Sequence, residues 1–97
     1  MSRLAYLVCY DICDPKRLRK VYKTMRGYGE HYQLSIFRCE LSASEKVQMV
    51  SDLEPILKHD EDQVLIVHLG PPRGQHASAM ETLGLPLPRA VRYAHVV

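Results

Sequence analysis

Asp11 stands out among the residues able to do chemistry. It follows the short apolar and aromatic run from Arg3 to Tyr10 and precedes Ile12. A run of this length and composition, closed by Asp and Pro, predicts a strand over 3–10 buried on both faces, with Asp11 just past its carboxyl end. A carboxylate held rigidly there can bind Mg²⁺, or another divalent cation such as Mn²⁺, through oxygen. One carboxylate per chain is a weak magnesium site, and a two-fold dimer that brings two copies of Asp11 together makes a much better one. The same residue also reads as a turn-forming or helix-capping Asp, and the local sequence leaves both readings open.

A basic stripe follows. Six of the thirteen Lys and Arg residues fall at Lys16, Arg17, Arg19, Lys20, Lys23 and Arg26, and no acid lies between Asp14 and Glu30. Acids gather instead at Asp60, Glu61 and Asp62. In a chain of net charge +2, such a stripe is a candidate footprint for phosphate, giving affinity without reading sequence. It reads equally as a solvated helix face. Tyr10 and Phe37 could stack bases or flank the site, or serve as core aromatics. Ser35 could donate to a phosphate or simply face outward.

Other chemistries lack support. Cys9, Cys13 and Cys39 are odd in number and lack framework or zinc-ligand spacing, which argues against a secreted disulfide scaffold and places the chain in the cytoplasm. His31, His59, His68, His76 and His95 are scattered, and none forms a metal-ligand pattern. No phosphate-cradling glycine loop, nucleophile elbow or Cys-x-x-Cys motif occurs. No apolar run is long enough to span a membrane, and the N-terminal residues lack the regions of a signal peptide.

These residues need elements to position them. Asp14 and Pro15 read as an N-cap and first turn, and Leu18, Val21, Tyr22 and Met25 form the apolar stripe of a helix over 15–26. Gly27 and Gly29 are available for a left-handed cap. Residues 31–41 alternate as strand, either one long bent strand or two paired ones, with Tyr32, Leu34 and Ile36 opposite Gln33, Ser35 and Phe37. Ser42 and Glu45 fit a capping box for a second helix with Val47, Val50, Leu53 and Leu57 inward. Pro55 predicts a kink or a break at Glu54. Residues 63–69 are the next strand. A turn-rich connection follows, with room for a helical turn at 77–83, and Val91 to Val97 read as a last strand.

With ninety-seven residues this is one domain with a thin core, for which dimerisation would bury more surface. The order predicts an α+β, ferredoxin-like βαββαβ fold, an antiparallel sheet with two helices on one face. Residues 1–69 make the core, 70–90 the connecting loop, and 91–97 a terminal strand free to pair with its own sheet or a partner's.

Tyr10-Asp11-Ile12, Asp14, the basic helix start at 16–21, Gly27-Tyr28-Gly29 and Gln33-x-Ser35-Ile36-Phe37 before Glu40-Leu41 together resemble the CRISPR-associated protein two family. These are small adaptation proteins of prokaryotic CRISPR immunity. The resemblance covers about residues 3–69, with a weaker echo at the terminal strand. It implies a homodimer packed sheet against sheet, with the late strand often joining the partner's sheet. It also implies a divalent metal at Asp11 on the two-fold axis and metal-dependent endonuclease activity on RNA or double-stranded DNA. Lys16, Arg17, Arg19, Lys20 and Lys23 would hold the nucleic acid, and Tyr10, Ser35 and Phe37 would line the site. The resemblance further implies a bridging role between dimers of the adaptation integrase, CRISPR-associated protein one, with DNA along the basic surfaces. In that role Asp11 need not be catalytic.

Overall fold

Six elements follow in chain order, β1 (Leu4–Asp11), α1 (Pro15–Arg26), β2 (Gly29–Gln33), β3 (Ile36–Leu41), α2 (Ala43–Leu53) and β4 (Gln63–Gly70). They belong to a computed structural model that describes residues 2–72 and 80–87. The strands form one sheet in the order β2-β3-β1-β4, with every neighbouring pair antiparallel. This is the expected ferredoxin-like α+β arrangement. The proposed terminal strand at 91–97 lies outside the described residues.

Both helices start where their side chains satisfy orphan amides. The Asp14 carboxylate accepts from Lys16 N and Arg17 N, with Pro15 in the first turn. Ser42 and Glu45 make a reciprocal capping box. Helix α2 ends at Leu53 with Glu54 as its cap, as Pro55 dictates, because proline cannot donate within a helix. Gly27 corrects an expectation: it caps α1 at φ −78°, in the right-handed region open to any residue. Gly29 is the constrained glycine, since a Cβ there would meet Arg38 O at 2.4 Å and Cys39 Sγ at 2.6 Å.

The core lies between one sheet face and the helices. Tyr6, Val8 and Tyr10 of β1 and Phe37, Cys39 and Leu41 of β3 pack with Val21 and Met25 of α1 and Met49 and Leu53 of α2. Side chains of this kind stabilise by about 1.5–3 kcal/mol each on full burial. The inward stripe of α2 differs from the expected one. Met49 and Leu53 are buried, whereas Val47 is 69% and Val50 37% exposed. The buried pair lies four residues apart on one face, and Val47 falls off it.

Among the described residues, the opposite sheet face carries no helix. Register places Leu7 beside Arg38 and Val67, Cys9 beside Ile36 and Leu65, and Asp11 beside Gln63. On this face Ala5 is buried but Leu7 and Cys9 are only half-buried and Asp11 is exposed, which corrects the expectation of a strand buried on both faces throughout. Met80, Thr82 and Leu87 approach Leu7 and Ile36 on this face, and residues 80–83 are not helical. Arg38 is buried there, bonded to Glu40 at 2.7 Å and to Pro72 O at 3.3 Å, with Glu30 at 3.7 Å. Burial raises the Glu30 carboxyl, and the Arg38 charge partly offsets this.

Candidate nucleic-acid interface

Asp11 is the last residue of β1, paired in register with Gln63, rather than lying past the strand end. Alternation along a strand sends neighbours to opposite faces. Tyr10 therefore enters the core, and Asp11 emerges on the opposite face in line with Leu7 and Cys9. Asp11 is exposed, and among the described residues nothing hydrogen-bonds to or ion-pairs with its carboxylate.

The loop after Asp11 is fixed from outside. The Asp62 carboxylate, its side chain fully buried, accepts from Cys13 N at 3.0 Å, Lys58 N at 2.9 Å and Arg17 Nε at 2.7 Å. Arg17 also reaches Glu61 Oε1 at 3.1 Å. The Arg17 guanidinium, opposed by burial and helped by the Lys58 and Cys13 amides, holds the Asp62 carboxyl well below the usual range. The Arg17 charge is stabilised in return, chiefly by Asp62. The expectation that Arg17 grips nucleic acid is thereby corrected. Its Nε and one terminal nitrogen are committed to two carboxylates, a pairing that joins the β1–α1 loop to the turn before β4.

The rest of the stripe is free for an anion. Lys16, Arg19, Lys20 and Lys23 are exposed, and among the described residues none is in an ion pair. At about 100° per residue they and Arg26 fall in an arc of roughly 120°, with Arg17 about 60° outside it. Helix α1 has no acid in its first turn.

Residues 31–41 form two paired strands joined by a turn at Leu34 and Ser35. This turn sits beside Asp11, because Tyr10 N donates to Ser35 O at 3.0 Å. It also breaks the alternation expected across it. His31 pairs with Phe37 on the helix side, while Gln33 pairs with Ile36. Phe37 is 0% exposed, stacked 6.2 Å from the Tyr10 ring, so it is a core residue and not a site-lining one. Tyr10 is nearly buried, but it does reach a cleft that Ser35 and Arg19 also border. Tyr22 and His31 wall the same cleft. From the sequence Tyr22 was read as part of the apolar stripe of α1 and His31 as one of several scattered histidines, neither as lining a site. Placing the turn at Leu34 and Ser35 would have put His31 opposite Phe37 and revealed it.

One protomer offers little to a metal. Among the described residues no group of three or more His, Cys, Asp or Glu could hold an ion. The Asp14 and Asp62 oxygens already accept from backbone amides and Arg17. Asp11 alone presents an uncommitted carboxylate at the strand end. That fits Mg²⁺, which keeps several waters and takes one or two carboxylates.

A family model described as CRISPR associated protein Cas2 matches residues 4–75. The chain is 43% identical over 93 residues to CRISPR-associated endoribonuclease Cas2 1 of Rhodospirillum rubrum, covering 96% of this chain and 90% of that one. It is 44% identical over 66 residues to CRISPR-associated endoribonuclease Cas2 of Geobacter sulfurreducens, covering 68% and 70%. Among solved structures, Streptococcus pyogenes Cas2 superposes with a TM-score of 0.71 at 31% identity, covering 84% of this chain and all of that one. A hypothetical protein from Thermus thermophilus superposes at 0.74, also at 31% identity, covering 90% and 96%.

Proposed function

The chain belongs to the family of CRISPR associated protein Cas2, and from this premise we propose that it is a metal-dependent endonuclease of CRISPR adaptation, acting in the cytoplasm as a homodimer. The observation that carries the reading is the uncommitted Asp11 carboxylate, exposed at the end of β1 just before the basic face of α1. Its relatives' names as endoribonucleases support phosphodiester cleavage in RNA, and double-stranded DNA presents the same backbone.

Each protomer supplies half of the site. Asp11 from two subunits would hold Mg²⁺ or Mn²⁺, which when bound polarises a phosphoryl oxygen and lowers the pKa of water. Arg19, Lys16, Lys20 and Lys23 hold backbone phosphates against α1. The Arg17–Asp62 pair keeps the loop after Asp11 in place, and Ser35 stands beside it. The sheet face with Leu7, Cys9 and the half-exposed Leu65 is apolar enough to bury against a second copy.

Asp11→Ala is expected to abolish Mg²⁺-dependent cleavage of RNA and duplex DNA while the dimer persists in sedimentation. Undiminished cleavage by that variant overturns the reading. A second reading is favoured by the basic face alone, which needs no catalysis. The protein would then be a DNA-binding scaffold bridging dimers of the adaptation integrase, and duplex binding would survive Asp11→Ala but weaken when the charges of Lys20 and Lys23 are reversed.

A further inference from the structure

A cleft of about 360 Å³ opens between α1 and the β2–β3 turn, within the ~300–1,000 Å³ range of small-ligand sites. Tyr10, Leu18, Tyr22 and His31 line it with mostly apolar surface, and Arg19 and Ser35 add polar groups. The Tyr22 and His31 rings stand 5.2 Å apart and nearly perpendicular. Both are braced from beneath by Phe37, at 5.7 Å and 5.0 Å. The Arg26 guanidinium lies 5.9 Å over the Tyr22 ring. Leu34, at the tip of the turn, is 84% exposed.

We infer that this cleft receives one unstacked nucleobase of a bound strand. Two features select that occupant. Flat aromatic walls fixed by a packed ring beneath them suit another π-face, and base–aromatic stacking tolerates any base. The surroundings are cationic: Arg19 borders the cleft, and Lys16, Lys20 and Lys23 lie exposed on the same helix, so the apolar guest must carry an anion. A nucleotide unites both, its base among Tyr22, His31 and Leu18 and its phosphate at Arg19. An apolar peptide would leave those charges unanswered. The cleft is continuous with the site proposed above, since Tyr10 borders it and immediately precedes Asp11. The inference rests on that reading for the presence of nucleic acid, though not for cleavage.

The base site can be tested with a single-stranded oligonucleotide carrying one 2-aminopurine, whose fluorescence is quenched by stacking. The wild-type dimer is expected to quench it. Tyr22→Leu is expected to remove the quench and weaken single-strand binding roughly 5- to 150-fold, the equivalent of one lost stacking contact, with duplex affinity held. Ser35→Leu, which crowds the cleft from the turn without adding or removing an aromatic ring, is expected to do the same and covers the case in which Tyr22→Leu unfolds. Absence of quenching by the wild type, or quenching retained in the Ser35→Leu variant, overturns the inference. If quenching is lost in the variants while Asp11→Ala still cleaves, the base site stands and the catalytic reading fails. If the wild type cleaves without quenching, the catalytic reading stands and the base site fails.

Discussion

Arg17 and its neighbours on α1 have similar charge but different commitments, and the salt dependence of binding separates them. Each side chain that neutralises one duplex phosphate contributes about 0.9 to the slope of log affinity against log salt. Arg19, Lys20 and Lys23 are exposed and outside ion pairs among the described residues. Replacing all three with Ala is expected to lower the slope by about 2.7 for each protomer engaged. Replacing one lowers it by about 0.9, so that raising salt from about 50 to 200 mM costs roughly 3.5-fold less affinity than in the wild type. Arg17 instead spends Nε on Asp62 at 2.7 Å and a terminal nitrogen on Glu61 at 3.1 Å. Arg17→Ala is expected to leave the slope within about 0.2 of the wild type and to lower the melting temperature, because it strands the buried Asp62 carboxylate. Fluorescence anisotropy on a labelled duplex, with parallel melting curves, gives both quantities. A slope loss for Arg17→Ala equal to that for Arg19→Ala would refute the assignment of Arg17 to the loop, and an unchanged slope for the triple variant would refute the assignment of the α1 face to phosphate.

Phe37→Ala is expected to cost about 3–5 kcal/mol in urea unfolding, as for other buried aromatics, while Ser35→Ala stays within about 0.5 kcal/mol. Gly29→Ala is expected to cost about 1–3 kcal/mol by overpacking, since its Cβ would press on the Arg38 carbonyl 2.4 Å away; a neutral result in the same assay would count against that contact. Acid should destabilise the fold. Arg17 lowers the Asp62 carboxyl, the Ser42 amide lowers Glu45, and the Arg17 amide lowers Asp14. The native state therefore binds fewer protons than the unfolded chain, and stability is lost as pH falls below about 4. Glu30, raised by burial, acts in the opposite sense, so Glu30→Gln is expected to gain stability at neutral pH. Melting temperatures between pH 3 and 7 check both signs.

Much of the frame was legible in local sequence because local physics sets it. Asp14 and Pro15 can only open a helix, Ser42 and Glu45 satisfy each other across three residues, and Pro55 has no donor to continue α2. The basic face of α1 follows from the 3.6-residue period of a helix, whereas the half-burial of Leu7 and Cys9 on one face of β1 did not show in its apolar run. The family was legible too, from short motifs in order along the chain. Errors arose where the answer depended on what lay across space. Val47 and Met49 are both apolar, and only the docking angle of α2 on the sheet buries Met49. The alternation at 31–41 continues unbroken in sequence, and only the turn at Leu34 and Ser35 sends Phe37 into the core.

The candidate site divides in the same way. From its own residues the chain determined that Asp11 stands at the carboxyl end of an apolar strand and that five cations of α1 share one side. Periodicity and charge are properties of neighbours in sequence, so they can be read there. Tertiary structure alone decided that Arg17 belongs to Asp62, 45 residues away, and that Asp11 has no such partner among the described residues. It also closed an aromatic cleft from α1 and a hairpin that share no motif. Pairing of charges and enclosure of a cavity depend on which distant segments the fold brings within a few ångströms, and no local pattern records that.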